Sequence, residues 1–148
     1  MVMGVTQFQR LFREAASIDL DKDDIKRLDD FVTARLHDLL LMAQRLAKAN
    51  GRPVIDWIDV PLTRGLQADI HNFQRLEEAV EVETVLERLA TLPQLDLDFS
   101  EDLEARLPEL AGGITYSLAR VFRAVDPTIK NPSTHDWRRI EEIYGILL

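Results

Sequence analysis

The chain has 148 residues, of which 46% are hydrophobic and 30% are charged, and its formal net charge is −8. This length and composition are sufficient for one hydrophobic core and argue against disorder. The absence of cysteine excludes disulfides, zinc-thiolate sites and cysteine nucleophiles, and the negative charge is the opposite of what a phosphate-binding surface requires.

The first half of the sequence predicts a short helix followed by a long one. Apolar residues at helical spacing predict the short helix over about residues 6–16. After a polar–apolar alternation in residues 17–21, a helix is expected over Lys22–Ala49, with Asp21 or Asp23 as its cap. Apolar residues cover so much of its circumference that this helix must be buried on more than one side.

A sharp stop and an extended segment precede the third predicted helix. The Asn-Gly pair at 50–51 supplies the left-handed residue that ends a helix, and residues 53–55 are expected to be extended. Asp56 is the predicted cap of a helix that continues to Phe73. Pro61 lies near the start of this helix, where a missing N–H has the smallest effect.

The second half follows the same order with weaker motifs. Residues 82–89 have the spacing of a short helix, and Leu95-Asp-Leu-Asp repeats the earlier Ile18-Asp-Leu-Asp. Ser100 is the predicted cap of a second long helix, and Asp136 is expected to open the last one. This pattern indicates a degenerate duplication of roughly 70 residues.

The duplication predicts an all-α fold with residues 6–76 as the first repeat and residues 77–148 as the second. In each repeat a short helix, a long helix and a short helix follow one another. A long helix flanked by two short ones has no self-sufficient core, so each repeat needs the other to cover its second apolar face. The whole chain, residues 1–148, is therefore expected to fold as one unit.

The first repeat carries specific sequence features in residues 10–15 (Arg-Leu-Phe-Arg-Glu-Ala), in residues 43–52, and in the spacing of Arg52 and Asp59. With these features, nearly all of residues 8–74 resembles the histone fold, and archaeal histones most closely. The whole chain resembles a bacterial family of unknown function in which two histone folds are fused into one pseudodimer. The resemblance implies a clamp between Arg52 and Asp59, and it makes DNA a candidate partner.

Several positions depart from the histone pattern. Both first loops are acidic, whereas histones usually carry a basic and a small polar residue there. Histones follow the Arg of the second loop with Lys and Thr, which touch phosphate. This chain has Pro53 and Val54, whose side chains donate no hydrogen bond. Ala49 replaces a histidine that helps archaeal histone dimers to stack. These departures argue against DNA wrapping and histone-like stacking.

Six basic residues are candidate nucleic-acid contacts: Arg10, Arg13, Lys22, Lys26, Arg27 and Arg52. The first five lie among seven acidic residues, namely Glu14, Asp19, Asp21, Asp23, Asp24, Asp29 and Asp30. Net attraction to phosphate needs surplus positive charge. A solvated, salt-bridged face is therefore the interpretation that we favour for these residues.

Residues 106–113 (Arg-Leu-Pro-Glu-Leu-Ala-Gly-Gly) are unusual for the interior of a long helix. Pro108 is expected to kink the helix or to start a new segment. Glycine lets two backbones approach closely, so we predict that one of the two glycines lies where the long helices cross, against residues 33–40. The predicted crossing consists of Leu36, His37, Gly112 and Gly113. The alternative is that the proline and the glycines mark a loop.

The sequence predicts no catalytic, cofactor or metal site. No HExxH pattern, glycine-rich phosphate loop or nucleophile motif occurs, and residues 19–24 lack the Gly and Glu positions of a calcium loop. We therefore predict a non-enzymatic structural or interaction protein with no small-molecule substrate. Its expected partner is another protein or a second copy of itself, and the alternative is weak or specialised DNA binding.

The expected compartment is the cytoplasm. No apolar run approaches the ~20 residues that cross a membrane, so no membrane association is predicted. The N-terminal residues also lack the apolar core of a secretory signal.

Overall fold

The computed structural model describes residues 1–147, and the regular structure in that range is helical apart from one isolated bridge between extended segments. The helices are α1 (Val5–Ala16), α2 (Lys22–Ala49), α3 (Arg64–Gln74), α4 (Val82–Leu89), α5 (Glu101–Val125) and α6 (Thr134–Leu147). A single 3-10 turn, Trp57–Asp59, lies between α2 and α3. The all-α class predicted from the sequence is confirmed.

Side-chain caps fix the starts of both long helices. The Asp21 carboxylate accepts from the Asp24 N–H at 2.8 Å, and the Asp24 carboxylate accepts from the Asp21 N–H at 3.0 Å. Ser100 Oγ accepts from the Leu103 N–H at 3.1 Å. Each bond satisfies a backbone group that has no partner inside the helix. Of the two caps predicted for α2, Asp21 is therefore the one used.

The start of the third helix was predicted wrongly. Asp56 caps only the 3-10 turn, and α3 begins at Arg64 with Thr63 as its cap. A residue that precedes proline is kept out of the helical region by the proline ring. Val60, which precedes Pro61, is accordingly extended, with φ −71° and ψ 120°. The proline therefore separates the turn from the helix.

The last helix begins two residues earlier than predicted, at Thr134. Ser133 Oγ accepts from the Asp136 N–H at 3.1 Å, and the Asp136 carboxylate accepts from the Ser133 N–H at 2.9 Å. This reciprocal pair is a capping box. Asp136 is therefore inside the first turn of α6 and supports the cap that Ser133 provides.

Helix α5 runs without interruption through Pro108 and both glycines. The prediction that Pro108 starts a new segment is wrong, and so is the alternative that these residues mark a loop. The carbonyl that loses its hydrogen bond to the proline belongs to Glu104, an exposed residue, so water can satisfy it. The helix is also held by burial, because its middle third packs inside the protein.

The two central glycines of α5 face α3. A Cβ atom at Gly113 would lie 2.5 Å from the Ile70 side chain and 3.2 Å from its backbone, and one at Gly112 would overlap the ring of Phe73. The nearest atoms at both positions belong to α3. Helix α2 also contacts α5, and the predicted contact of a glycine with residues 33–40 of α2 stays a prediction. The large side chains of α3 require that α5 present no side chain there.

Helix α5 is the centre of the molecule and contacts α1, α2, α3, α4 and α6. The two repeats also pair through their loops at both ends. At one end the Ile55 N–H donates to Asp98 O at 2.9 Å, and the Ser100 N–H donates to Ile55 O at 2.8 Å. At the other end the Asp19 N–H donates to Lys130 O at 2.8 Å. Each first loop therefore meets the second loop of the other repeat.

None of the described helices is long and apolar enough to span a bilayer.

Candidate interaction site

Arg52 and Asp59 form an ion pair across the second loop. The Asp59 side chain is 1% exposed, whereas that of Arg52 is 37% exposed. The second oxygen of Asp59 accepts from the Asp56 N–H at 2.9 Å. The buried carboxylate is therefore fully engaged, and Arg52 supplies its counter-charge from the surface side.

The same network reaches the first turn of α5. Asp56 accepts from the Ser100 hydroxyl at 2.7 Å and from the Trp57 N–H at 2.8 Å, and these two bonds hold the pKa of Asp56 below its ordinary value. The Arg106 guanidinium lies 4.7 Å from the centroid of the Trp57 ring. The second loop of the first repeat is in this way attached to the long helix of the second.

Changing either Arg52 or Asp59 to Ala is expected to lower the free energy of unfolding by about 1–3 kcal/mol, because the remaining partner loses its ion pair. The double variant is expected to lose less than the sum of the single changes. Urea denaturation of the four proteins measures this difference.

Arg13→Ala is the matched control for this cycle. Arg13 lies 3.6 Å from Asp19 and both side chains are exposed, so its removal is expected to change stability by less than about 0.5 kcal/mol. Additive effects of the Arg52 and Asp59 changes would contradict the coupling.

The opposite end of the molecule is filled by aromatic rings. Trp137 lies with its ring centroid 4.9 Å from that of Phe122 and 6.5 Å from that of Phe12. Its indole N–H donates to the Asp24 carboxylate at 2.7 Å in the interior. Burial raises the pKa of Asp24 above its ordinary value. This bond joins α6 to the start of α2, and sequence reasoning did not predict it.

Four of the six candidate nucleic-acid contacts are engaged with carboxylates. The pairs are Arg10 with Glu78, Arg13 with Asp19, Arg27 with Glu141, and Arg52 with Asp59. Lys22 and Lys26 lie together beside Asp29 at a shallow depression of about 360 Å³. Four of the six cations are therefore paired with carboxylates, and the other two, Lys22 and Lys26, form no ion pair within residues 1–147.

Two buried carboxylates that sequence reasoning missed hold distant elements together. Asp29 accepts from the Val2 N–H at 2.8 Å and from Arg88 Nε at 2.9 Å. Asp69 accepts from Arg120 at 2.8 Å, and its hydrogen bond and charge raise the pKa of that guanidinium. The partners are far apart in sequence, and no local pattern connects them.

A hollow of about 700 Å³ lies between α2, α4, the loop of residues 90–99 and the first turn of α5. We call it the leucine hollow. Its apolar lining includes Leu40, Leu86, Leu89, Leu95, Leu97 and Phe99. Residues 1–147 hold no group of three His, Asp or Glu side chains arranged for a metal ion.

Two polar side chains of α2 hold the loop that borders the leucine hollow. His37 Nε2 lies 2.8 Å from Pro93 O; because a carbonyl only accepts, Nε2 carries the proton and donates. Gln44 Oε1 accepts from the N–H groups of Asp96 and Leu97 at 2.7 and 3.0 Å. His37, which was predicted at the crossing of the long helices, makes its hydrogen bond to this loop.

These features define an all-α protein in which the other helices pack around one central helix, α5. The chain belongs to the family described as Domain of unknown function (DUF1931), whose model matches residues 8–145. The predicted membership of a family of unknown function is confirmed.

Two proteins of Aquifex aeolicus (strain VF5), each described as an uncharacterized protein, are similar in sequence. One is 31% identical over 120 residues, which covers 81% of this chain and 70% of the relative. The other is 27% identical over 139 residues, which covers 85% and 81%.

Two crystal structures have the same fold. That of a protein from Thermus thermophilus superposes with a TM-score of 0.96 at 47% identity over the full length of both chains. That of a protein from Aquifex aeolicus superposes with a TM-score of 0.83 at 27% identity, covering 99% of this chain and 97% of the other. The arrangement of helices is therefore shared across most of the length of these proteins.

Proposed function

We propose that the protein is a tandem histone-fold pseudodimer that acts in the cytoplasm as a non-enzymatic structural or protein-interaction module. The pseudodimer is supported by the repeated order of a short, a long and a short helix. It is further supported by the reciprocal pairing of first and second loops at Ile55 and at Asp19. In this arrangement the repeats act as two halves of one body.

We favour a protein partner over DNA because candidate nucleic-acid contacts form ion pairs with carboxylates. Arg10, Arg27 and Arg52 each have an acidic partner, and the net charge is −8. Binding to duplex DNA releases counterions in proportion to the phosphates that free cations neutralise. Because these three arginines are paired internally, they are expected to neutralise few phosphates and to release few counterions from the DNA.

Labelled duplex DNA is expected to bind weakly at best at about 150 mM salt, with a Kd at the weak end of ordinary non-specific binding, roughly 10⁻⁴ M, or weaker. Fluorescence anisotropy measured across a salt series tests this expectation. Tight binding at that salt concentration, or a steep loss of affinity with added salt, would show that the protein is a DNA binder.

A charge variant provides the control for this titration. Glu78→Gln with Glu141→Gln removes the partners of Arg10 and Arg27 and is expected to strengthen DNA binding at low salt. Glu83→Gln with Glu87→Gln makes the same change in net charge at exposed positions of α4 where the described residues form no ion pair. If both double variants bind DNA equally, pairing with carboxylates is not what restrains these arginines.

A further inference from the structure

Two aromatic rings at one end of the molecule correspond in sequence position to smaller side chains in the other half of the repeat, where the leucine hollow lies. Phe12 precedes the motif Ile18-Asp-Leu-Asp, and Leu89 precedes the motif Leu95-Asp-Leu-Asp by the same number of residues. The two residues therefore occupy equivalent positions in the sequence. Ala43 follows the cap of α2 by as many residues as Phe122 follows the cap of α5. Phe12 and Phe122 pack edge to face at 5.9 Å between their centroids, and the side chains of Leu89 and Ala43 are smaller than these rings.

The apolar side chains of the same motif are buried in one repeat and partly exposed in the other. Ile18 and Leu20 of the first motif are 1% and 7% exposed. Leu95 and Leu97, their counterparts, are only half-buried and line the leucine hollow. Large apolar side chains that converge on an open cavity are characteristic of a binding surface.

The free charge at the rim of the hollow is negative. Asp98 and Glu104 line it, are exposed, and form no ion pair with any residue in 1–147. The nearby cations are already engaged, because Lys48 lies 2.5 Å from Asp96 and Arg88 binds Asp29. An occupant therefore meets apolar walls and two unpaired carboxylates, and positive charge on it is complementary.

We propose that the leucine hollow binds a segment of another protein that inserts an aromatic or other large apolar side chain and places a Lys or Arg against Asp98 and Glu104. The proposal names the partner class of the interaction module proposed above and rests on it. The volume of about 700 Å³ falls within the roughly 300–1,000 Å³ of ligand pockets. A central apolar anchor with a charged rim is the usual arrangement of a binding hot spot.

Selection of short random peptides by phage display against the full chain tests the proposal. The enriched peptides are expected to combine an aromatic or leucine residue with Lys or Arg, and their affinity is measured by anisotropy with labelled synthetic copies. Ala90→Trp fills the hollow from its exposed lining and is expected to weaken binding about tenfold or more. Thermal melting verifies that the variant is folded.

A second variant tests the charged rim independently of packing. Asp98→Asn with Glu104→Gln changes only exposed side chains and is expected to weaken binding severalfold at low salt and less at high salt. Glu101→Gln with Glu83→Gln is the matched control, since both residues are exposed, form no ion pair within residues 1–147 and do not line the hollow. The control pair is expected to bind the peptides as tightly as the unchanged protein.

Three results would overturn the proposal. One is the absence of enriched peptides, or enrichment of acidic ones. Another is peptide binding that Ala90→Trp and the rim variant leave unchanged, which would locate the interaction elsewhere while the interaction-module proposal stands. The third is a concentration-dependent dimer that Ala90→Trp abolishes, because the occupant would then be a second copy of the chain. The DNA titration tests the proposed function separately, because tight DNA binding at about 150 mM salt would contradict it.

Discussion

Replacing Gly113 by Leu is expected to lower the free energy of unfolding by about 3 kcal/mol, because the new side chain has no space against α3. Even a single Cβ there lies 3.2 Å from the backbone of Ile70, so the helices must separate. Gly112→Leu is also expected to destabilise, through the Phe73 ring, but a ring can rotate where a backbone cannot. Urea denaturation measures both changes.

Gly65→Ala is the matched control for these substitutions. A Cβ at Gly65 meets nothing within 4 Å, and the residue lies in the first turn of α3. The change is therefore expected to be neutral or to stabilise by about 0.5 kcal/mol through helix propensity. Near-neutral effects at both Gly112 and Gly113 would contradict the close approach of α3 to α5.

Residues 1–76 expressed alone are expected to be unfolded or self-associated, whereas the full chain melts in a single transition. Helices α1 and α3 both pack on α5, which belongs to the other half, so the fragment loses the partner for most of its apolar surface. Circular dichroism and light scattering after gel filtration measure helicity and mass.

Mixing residues 1–76 with residues 77–148 is the control for this experiment. If each half fails only because it lacks the other, the mixture is expected to regain the helicity and the cooperative melt of the intact chain. A monomeric 1–76 fragment with a sharp melting transition would show that the first repeat has a core of its own.

The elements that local chemistry controls were predicted closely. The bounds of α2 follow from the cap at Asp21 and the stop at Gly51, whose φ is +68°, and these signals act within a few residues of the helix ends. The third helix was misplaced because Asp56 is a good cap in isolation. Pro61 competes with it from five residues away, and the pattern alone does not say which signal dominates.

The sequence by itself determined the helical class, because the periodicity of apolar residues acts over short distances along the chain. The resemblance of the first half to the histone fold implied the contact of Arg52 with Asp59, which is present in the structure. Only the tertiary structure decided that the glycines of α5 approach α3 and that Asp29 binds Arg88. It also decided that the side chain of Leu97 is partly exposed whereas that of Leu20 is buried. These outcomes depend on which side chains meet across the core. No local pattern identifies these partners, because close packing brings together side chains that are distant in sequence.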